Sequence, residues 1–367
     1  MTDPRIKNLA NLLVNYSTAV QPGDWVLVRG NVLAEPLVNE VISHITQAGA
    51  HFDLSLSSDD IGETFMRSAS DAQLQWVSPV AKMLYNEANV LIAINATSNT
   101  RSMTSIDPVK ERTASLARRD LMETYMRRSA AKELRWVGTQ YPCPAYAQEA
   151  DMSLREYEDF VYRATFADQD DPVAKWQAIH NEQQVAIDWL MGKKIVTVKS
   201  PHADLTLSIE GRTFINADGT NNMPSGEIFT GPVEDSANGW VEFTYPAIRG
   251  GREVEGVRLE FEDGKVVKAS AKKNEAYLLT QLDSDEGSRY LGEFAIGTNY
   301  GITRFTKSIL FDEKIGGSFH MAVGAGYPET GSVNKSSIHW DFICDVREDS
   351  EIRVDGELLY KDGQFRI

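Results

Sequence analysis

Apolar positions follow two rhythms along this chain, and the change from one to the other comes at about Gly192. Before it, helix-spaced and compact apolar runs take turns. Ile6, Leu9, Leu13 and Tyr16 predict a short amphipathic helix. A turn at Gln21-Pro22-Gly23-Asp24 leads into a strand over residues 25–28. Pro36 in the first turn and Gly49 beyond the end bracket a helix starting near Glu35. A strand over residues 52–56, a helical pattern over 72–87, a strand over 90–94, a helix over 108–132 and a strand over 134–137 continue the alternation. Strands apolar on both faces and separated by helices predict a parallel sheet covered on each side. Residues 152–190 read as helical, broken near Asp168 to Pro172.

After Gly192 the period falls to two, with strands over 194–199 and 204–209. Strands over 257–261 and 265–269 flank Glu262-Asp263-Gly264, and those over 352–354 and 357–360 flank Asp355-Gly356, both hairpin signals. One helix, over 275–282, interrupts them. The pattern predicts an α/β chain: an N-terminal three-layer, parallel-sheet (Rossmann-like) domain over 1–190, and a C-terminal α+β, mainly antiparallel domain over 191–367. A length of 367 residues suits two domains.

Composition narrows the function classes. A net charge of −16 argues against nucleic acid as a partner, since phosphates need a basic surface. No apolar run approaches the roughly 20 residues that span a bilayer, so no membrane partner is expected. The first residues lack a signal-peptide core, and the only cysteines, Cys143 and Cys344, make no disulfide framework. These features predict a cytoplasmic protein with reduced thiols. Neither Arg29-Gly30-Asn31 nor Asn95-Ala96-Thr97 supplies a dinucleotide fingerprint after its strand. A Rossmann-like topology by itself assigns no activity.

Chemistry concentrates in residues 311–346, FDEKIGGSFHMAVGAGYPETGSVNKSSIHWDFICDV, which hold His320 and His339 among six histidines in the chain. Asp312, Glu313, Glu329, Asp341 and Asp345 lie close by. His339 and Asp341 stand two apart in an apolar strand pattern, so an imidazole and a carboxylate share one face. A divalent metal site needs that arrangement. The same spacing also fits two solvated polar residues on an edge strand. His320 sits in a second apolar run, and the glycines of GAGYP can bring Tyr327 round to the same side. Glu227 and Glu293 each adjoin a glycine and an apolar stretch, and a buried carboxylate there needs a cation or hydrogen bonds. His180 reads as a helix-surface or packing residue. There is no His-Glu-x-x-His helix and no Gly-x-Ser-x-Gly elbow.

Four segments occur in order: PSGEIFTGP (224–232), LGEFAIGTN (291–299), FDEKIGGSFHMAVGAGYPE (311–329) and SSIHWDF (336–342). Together they resemble the thermophilic aminopeptidase family (aminopeptidase T, peptidase M29), over nearly the whole chain and least in the N-terminal half. The resemblance implies a two-metal site, with Glu227, Glu293, His320, Tyr327, His339 and Asp341 on matching positions and Glu313 as a further ligand. It implies hydrolysis of N-terminal residues from peptides with a free N-terminus, through a water activated by both ions. Zinc, cobalt or manganese, with magnesium a further candidate, would be held by nitrogen and oxygen donors. Glu227 or Glu293 would relay the proton, and Tyr327 would bind metal or stabilise the oxyanion. A homodimer is also implied. The alternative is a related branch of ring-cleaving pyridine dioxygenases, holding one iron by two histidines and a carboxylate. That branch has histidine at the position of Glu293 and a non-acidic residue at that of Glu227.

Overall fold

The computed structural model describes residues 3–367, which form two compact units. The first comprises the chain up to Val173 together with Gly219–Pro224; the second comprises Ala174–Asp218 and Ser225–Ile367.

The first unit is built on a parallel sheet in the order His51–Ser57, Trp25–Asn31, Val90–Asn95, Arg135–Gln140, Asn222–Met223. Val26, Val28, Ile92, Ile94 and Val137 are buried in it, and the helix Glu35–Gln47 contributes Leu37, Val38, Val41 and Ile45. Three details depart from the sequence pattern, the first being that the helix expected over 108–132 is two, Pro108–Ala117 and Arg119–Ala130. The helical stretch 72–87 is two helices, Asp71–Gln75 and Pro79–Glu87, because a proline forces the residue before it, Ser78, out of the helical region. The sheet is also not covered throughout: every residue of the edge strand His51–Ser57 is exposed, Phe52, Leu54 and Leu56 among them. The alternation there is real, but burial depends on what packs above, which a strand pattern does not encode.

The second unit is antiparallel. One sheet runs in the order Lys265–Ser270, Arg258–Glu262, Asn238–Glu242, Ala203–Ser208, Ile195–Ser200, Glu351–Val354, Glu357–Lys361, Gln364–Phe365. Both hairpins read from Asp-Gly pairs are present, with Asp263 and Asp355 at positive φ before their glycines. Ala247–Arg249 pairs with Arg252–Val254 in a small third sheet, and a five-stranded sheet carries the chemistry. Its strands are β1 (Ile215–Ala217), β2 (Glu227–Thr230), β3 (Leu291–Gly297), β4 (Ser318–Gly324) and β5 (His339–Asp345), and they lie side by side in that order.

Period two divides the sheet into unlike faces. Ile228, Phe294, Ile296, Phe319, Met321, Val323, Trp340, Phe342 and Cys344 join a single core cluster with residues of the eight-stranded sheet, including Val196, Leu205, Val241 and Leu259. The intervening residues, Glu227, Glu293, His320, His339 and Asp341, must then project from the opposite face. Burying the apolar face, at roughly 25 cal/mol per Å² of apolar area, fixes where the polar residues stand, since a one-residue slip would exchange the two sets. Among the described residues, no helix is long and apolar enough to cross a membrane.

Candidate active site

Register brings the polar residues together. Ala322 on β4 pairs with Glu293 on β3 and with Asp341 on β5, so the two carboxylates flank one small side chain. Gly324 pairs with His339, His320 with Ala295, and Gly297 with Glu227. Each acidic or imidazole group therefore stands beside alanine or glycine, which leaves room over the sheet.

Two irregularities complete the cluster. The first is a bulge between Leu291 and Glu293. Without it, strand alternation would put both residues on one face; with it, Leu291 joins the core and Glu293 the polar face. Gly292 permits the bulge, because a Cβ there would lie 2.2 Å from the Ala325 carbonyl oxygen. The second is at Gly297, where a Cβ would lie 2.3 Å from the Ile315 carbonyl oxygen. This close approach, held by Asn299 N–H donating to the Lys314 carbonyl at 3.1 Å, lays residues 313–316 against the end of β3. Glu313 and Lys314 arrive by that route.

Six of the residues expected from the sequence meet. The His339 Nε2 is 3.2 Å from Glu293 Oε2 and 3.3 Å from Asp341 Oδ1, while His320 Nε2 is 3.6 Å from both Glu227 Oε2 and Glu293 Oε1. Donor atoms of Glu293, His339 and Asp341 lie within 4.8 Å of one another, as do those of Glu313, His320 and Asp341. Asp341 belongs to both sets. The seventh, Tyr327, stands at the rim: it is partly exposed, its ring 5.3 Å from that of His339 and 5.4 Å from that of Phe229. His180 pairs instead with Asp218 at 2.7 Å and belongs to neither set.

The cluster is short of positive charge. Glu227, Glu293, Glu313 and Asp341, four carboxylates, stand against one buried lysine, Lys314, and two imidazoles. Burial raises Glu227 to about 7 against the pull of Lys314, and raises Glu313. Glu293 is buried too, yet the two imidazoles hold it well below the usual carboxylate range. Burial opposes protonation of His320, but Glu293 and Glu227 push it up to about 9; Asp341 and Glu293 likewise push His339 up to about 11. Glu227 Oε2 and Asp341 Oδ1 are buried without hydrogen-bond partners. Orphaned carboxylate oxygens facing imidazoles are a donor set that suits divalent cations. The His339 ring is already aimed: its Nδ1 donates to the Ala325 carbonyl at 2.7 Å, which leaves Nε2 free to ligate.

Several supporting residues escape a reading of sequence. Lys314 is fully buried, pairs with Glu313 and lies 3.7 Å from Glu227 Oε1; the available signal was a lysine between two acidic residues and the glycines of DEKIGG. Gln183 donates to the Glu227 carbonyl at 3.1 Å and to Asn216 Oδ1 at 2.6 Å, and accepts from Thr298 at 2.8 Å, so it fixes the entry to β2. Asp285 accepts from Ser337 N at 2.7 Å and Ser336 Oγ at 2.8 Å, clamping the approach to β5.

Comparison with known proteins gives the chain its family and fold. Aminopeptidase 2 of Geobacillus stearothermophilus is 27% identical over 403 residues, covering 99% of this chain and 95% of that protein. Aminopeptidase T of Thermus thermophilus is 25% identical over 398 residues, covering 98% and 95%. The structure of wild-type AmpT from Thermus thermophilus superposes with a TM-score of 0.85 at 22% identity over 99% of both chains, so the fold is shared. The family described as thermophilic metalloprotease (M29) matches residues 2–365, and the chain accordingly belongs to that family and is a metal-dependent peptidase.

Proposed function

We propose that this protein is an aminopeptidase that removes N-terminal residues from peptides with the help of two divalent ions. The observation that carries the reading is Asp341, shared by two sets of donors, all of them on one face of the five-stranded sheet except Glu313, which is brought to it by the segment 313–316. His339, Asp341 and one oxygen of Glu293 would hold one ion; His320, Glu313 and the other oxygen of Glu293 would hold the second, with Asp341 in reach of both and Glu227 beside His320. Zinc, cobalt or manganese suits these nitrogen and oxygen donors. Such ions, when bound, polarise a peptide carbonyl and acidify a water. Glu227, its Oε2 3.6 Å from His320 Nε2, would ligate the second ion, and Glu227 or Glu293 would take up a proton and return it to the leaving amine. Tyr327, at the rim, offers its hydroxyl to the substrate carbonyl. The chain's net charge of −16 favours approach of a cationic α-amino group, and the aminopeptidase names of the relatives support that direction of attack.

N-acetylation of a peptide substrate is expected to lower kcat/KM by at least about 100-fold, because it removes the ammonium group that an aminopeptidase must recognise. Matched tripeptides with free and acetylated termini, assayed by amino-acid release, give the measurement. Equal rates on both would exclude recognition of the amine and indicate an endopeptidase.

A further inference from the structure

Lys314 has the lowest exposure a side chain can have, 0%, and it is an ammonium placed inside a prospective cation site. Its Nζ pairs with Glu313 and lies 3.7 Å from Glu227. Glu313 belongs to only one of the two donor sets; the other, Glu293, His339 and Asp341, makes no ion pair with the lysine among the described residues. Its backbone is fixed as well, the carbonyl accepting from Asn299 and the N–H donating to the Phe311 carbonyl at 3.0 Å. The ammonium is thus a permanent part of one half of the cluster. Solvent and substrate do not reach it, so its part in the site is positioning and charge balance.

We infer that Lys314 makes the two ion positions unequal: the ion at Glu293, His339 and Asp341 is the tightly held one, and the ion at Glu313, His320 and Asp341 is the exchangeable one. The inference rests on the two-ion reading proposed above. A cation entering the Glu313 set must share that carboxylate with the ammonium and tolerate a like charge nearby in a buried setting, where screening by water is weak. A cation entering the other set shares no carboxylate ion-paired to the ammonium and meets that charge from farther away. A unit charge ~5 Å from one divalent ion and ~9 Å from the other, at an effective dielectric of about 20, separates their affinities roughly 100-fold. Lys314 also limits the gross charge the site attracts, so the weaker position fills only when free metal is plentiful.

The test is a calorimetric titration of chelator-treated protein with Zn²⁺ at fixed pH and ionic strength, with elemental analysis at each plateau. Wild-type protein is expected to take up two ions in steps separated by roughly 100-fold. Glu313→Gln should lose the weaker step alone, and His339→Ala the tighter one. Lys314→Met should bring the two steps together by strengthening the second. Circular dichroism identifies any variant that fails to fold; should Lys314→Met do so, the wild-type titration and the two ligand variants still decide the matter. Two ions of equal affinity, loss of the tighter step in Glu313→Gln, or an unchanged gap in folded Lys314→Met would overturn the inference while leaving the two-ion reading intact. Uptake of a single ion, or none, by wild-type protein would overturn the two-ion reading itself.

Discussion

Asp341→Ala is expected to abolish peptidase activity and metal uptake together, with kcat/KM down by at least about 10⁴-fold. Asp341 is the one residue common to both donor sets, so a single substitution strips a ligand from each position. The fold should survive. Removing one carboxylate from a cluster where four face a single lysine lessens like-charge repulsion. The backbone of β5 stays paired to β4 from Asp345 to His339, and the core residues on its other face are untouched. Elemental analysis, circular dichroism and peptide hydrolysis on one preparation separate these effects. A variant that keeps its metal and a tenth or so of its activity would show that the shared carboxylate is not the organising ligand.

Glu293→His should cost nearly as much, by a different route. Glu293 lies on β3 between the two imidazoles, one oxygen 3.6 Å from His320 Nε2 and the other 3.2 Å from His339 Nε2. Its two oxygens therefore face the two halves of the cluster. An imidazole has one free nitrogen to offer and cannot face both. Hydrolysis is expected to fall by about 10³-fold or more, with fewer ions bound per chain. The variant would assemble a set of histidines and carboxylates of the kind that suits iron(II), so iron retention is a second readout. Unchanged metal content with near-normal hydrolysis would make Glu293 a bystander.

How much of this was legible in the sequence depended on how local each feature is. His339 and Asp341 share a face because a strand alternates, and two apolar neighbours suffice to show it. The hairpins at Asp263-Gly264 and Asp355-Gly356 are written in two residues each. The break at Pro79 was equally local, and the helical period over 72–87 obscured it. Glu293 is different. Alternation alone would pair it with Leu291, and only the bulge at Gly292, set by the neighbouring strand and the Ala325 carbonyl, turns it to the polar face. Glu313 and Lys314 join the site because Gly297, far from them in the chain, lets their backbone approach. Burial of Lys314 is the outcome of that contact, and no pattern in DEKIGG states it. Resemblance to a family supplied Glu227, Glu293 and Glu313 as candidates where spacing could not, but it did not include the lysine between them.

The most direct measurement is metal content and hydrolysis followed on the same sample through removal and return of metal. Protein dialysed against chelator should release no amino acid from short peptides, and should recover on addition of Zn²⁺ or Co²⁺, with full activity reached only as the second ion per chain is bound. Undiminished turnover in protein shown by elemental analysis to hold no metal would contradict the account.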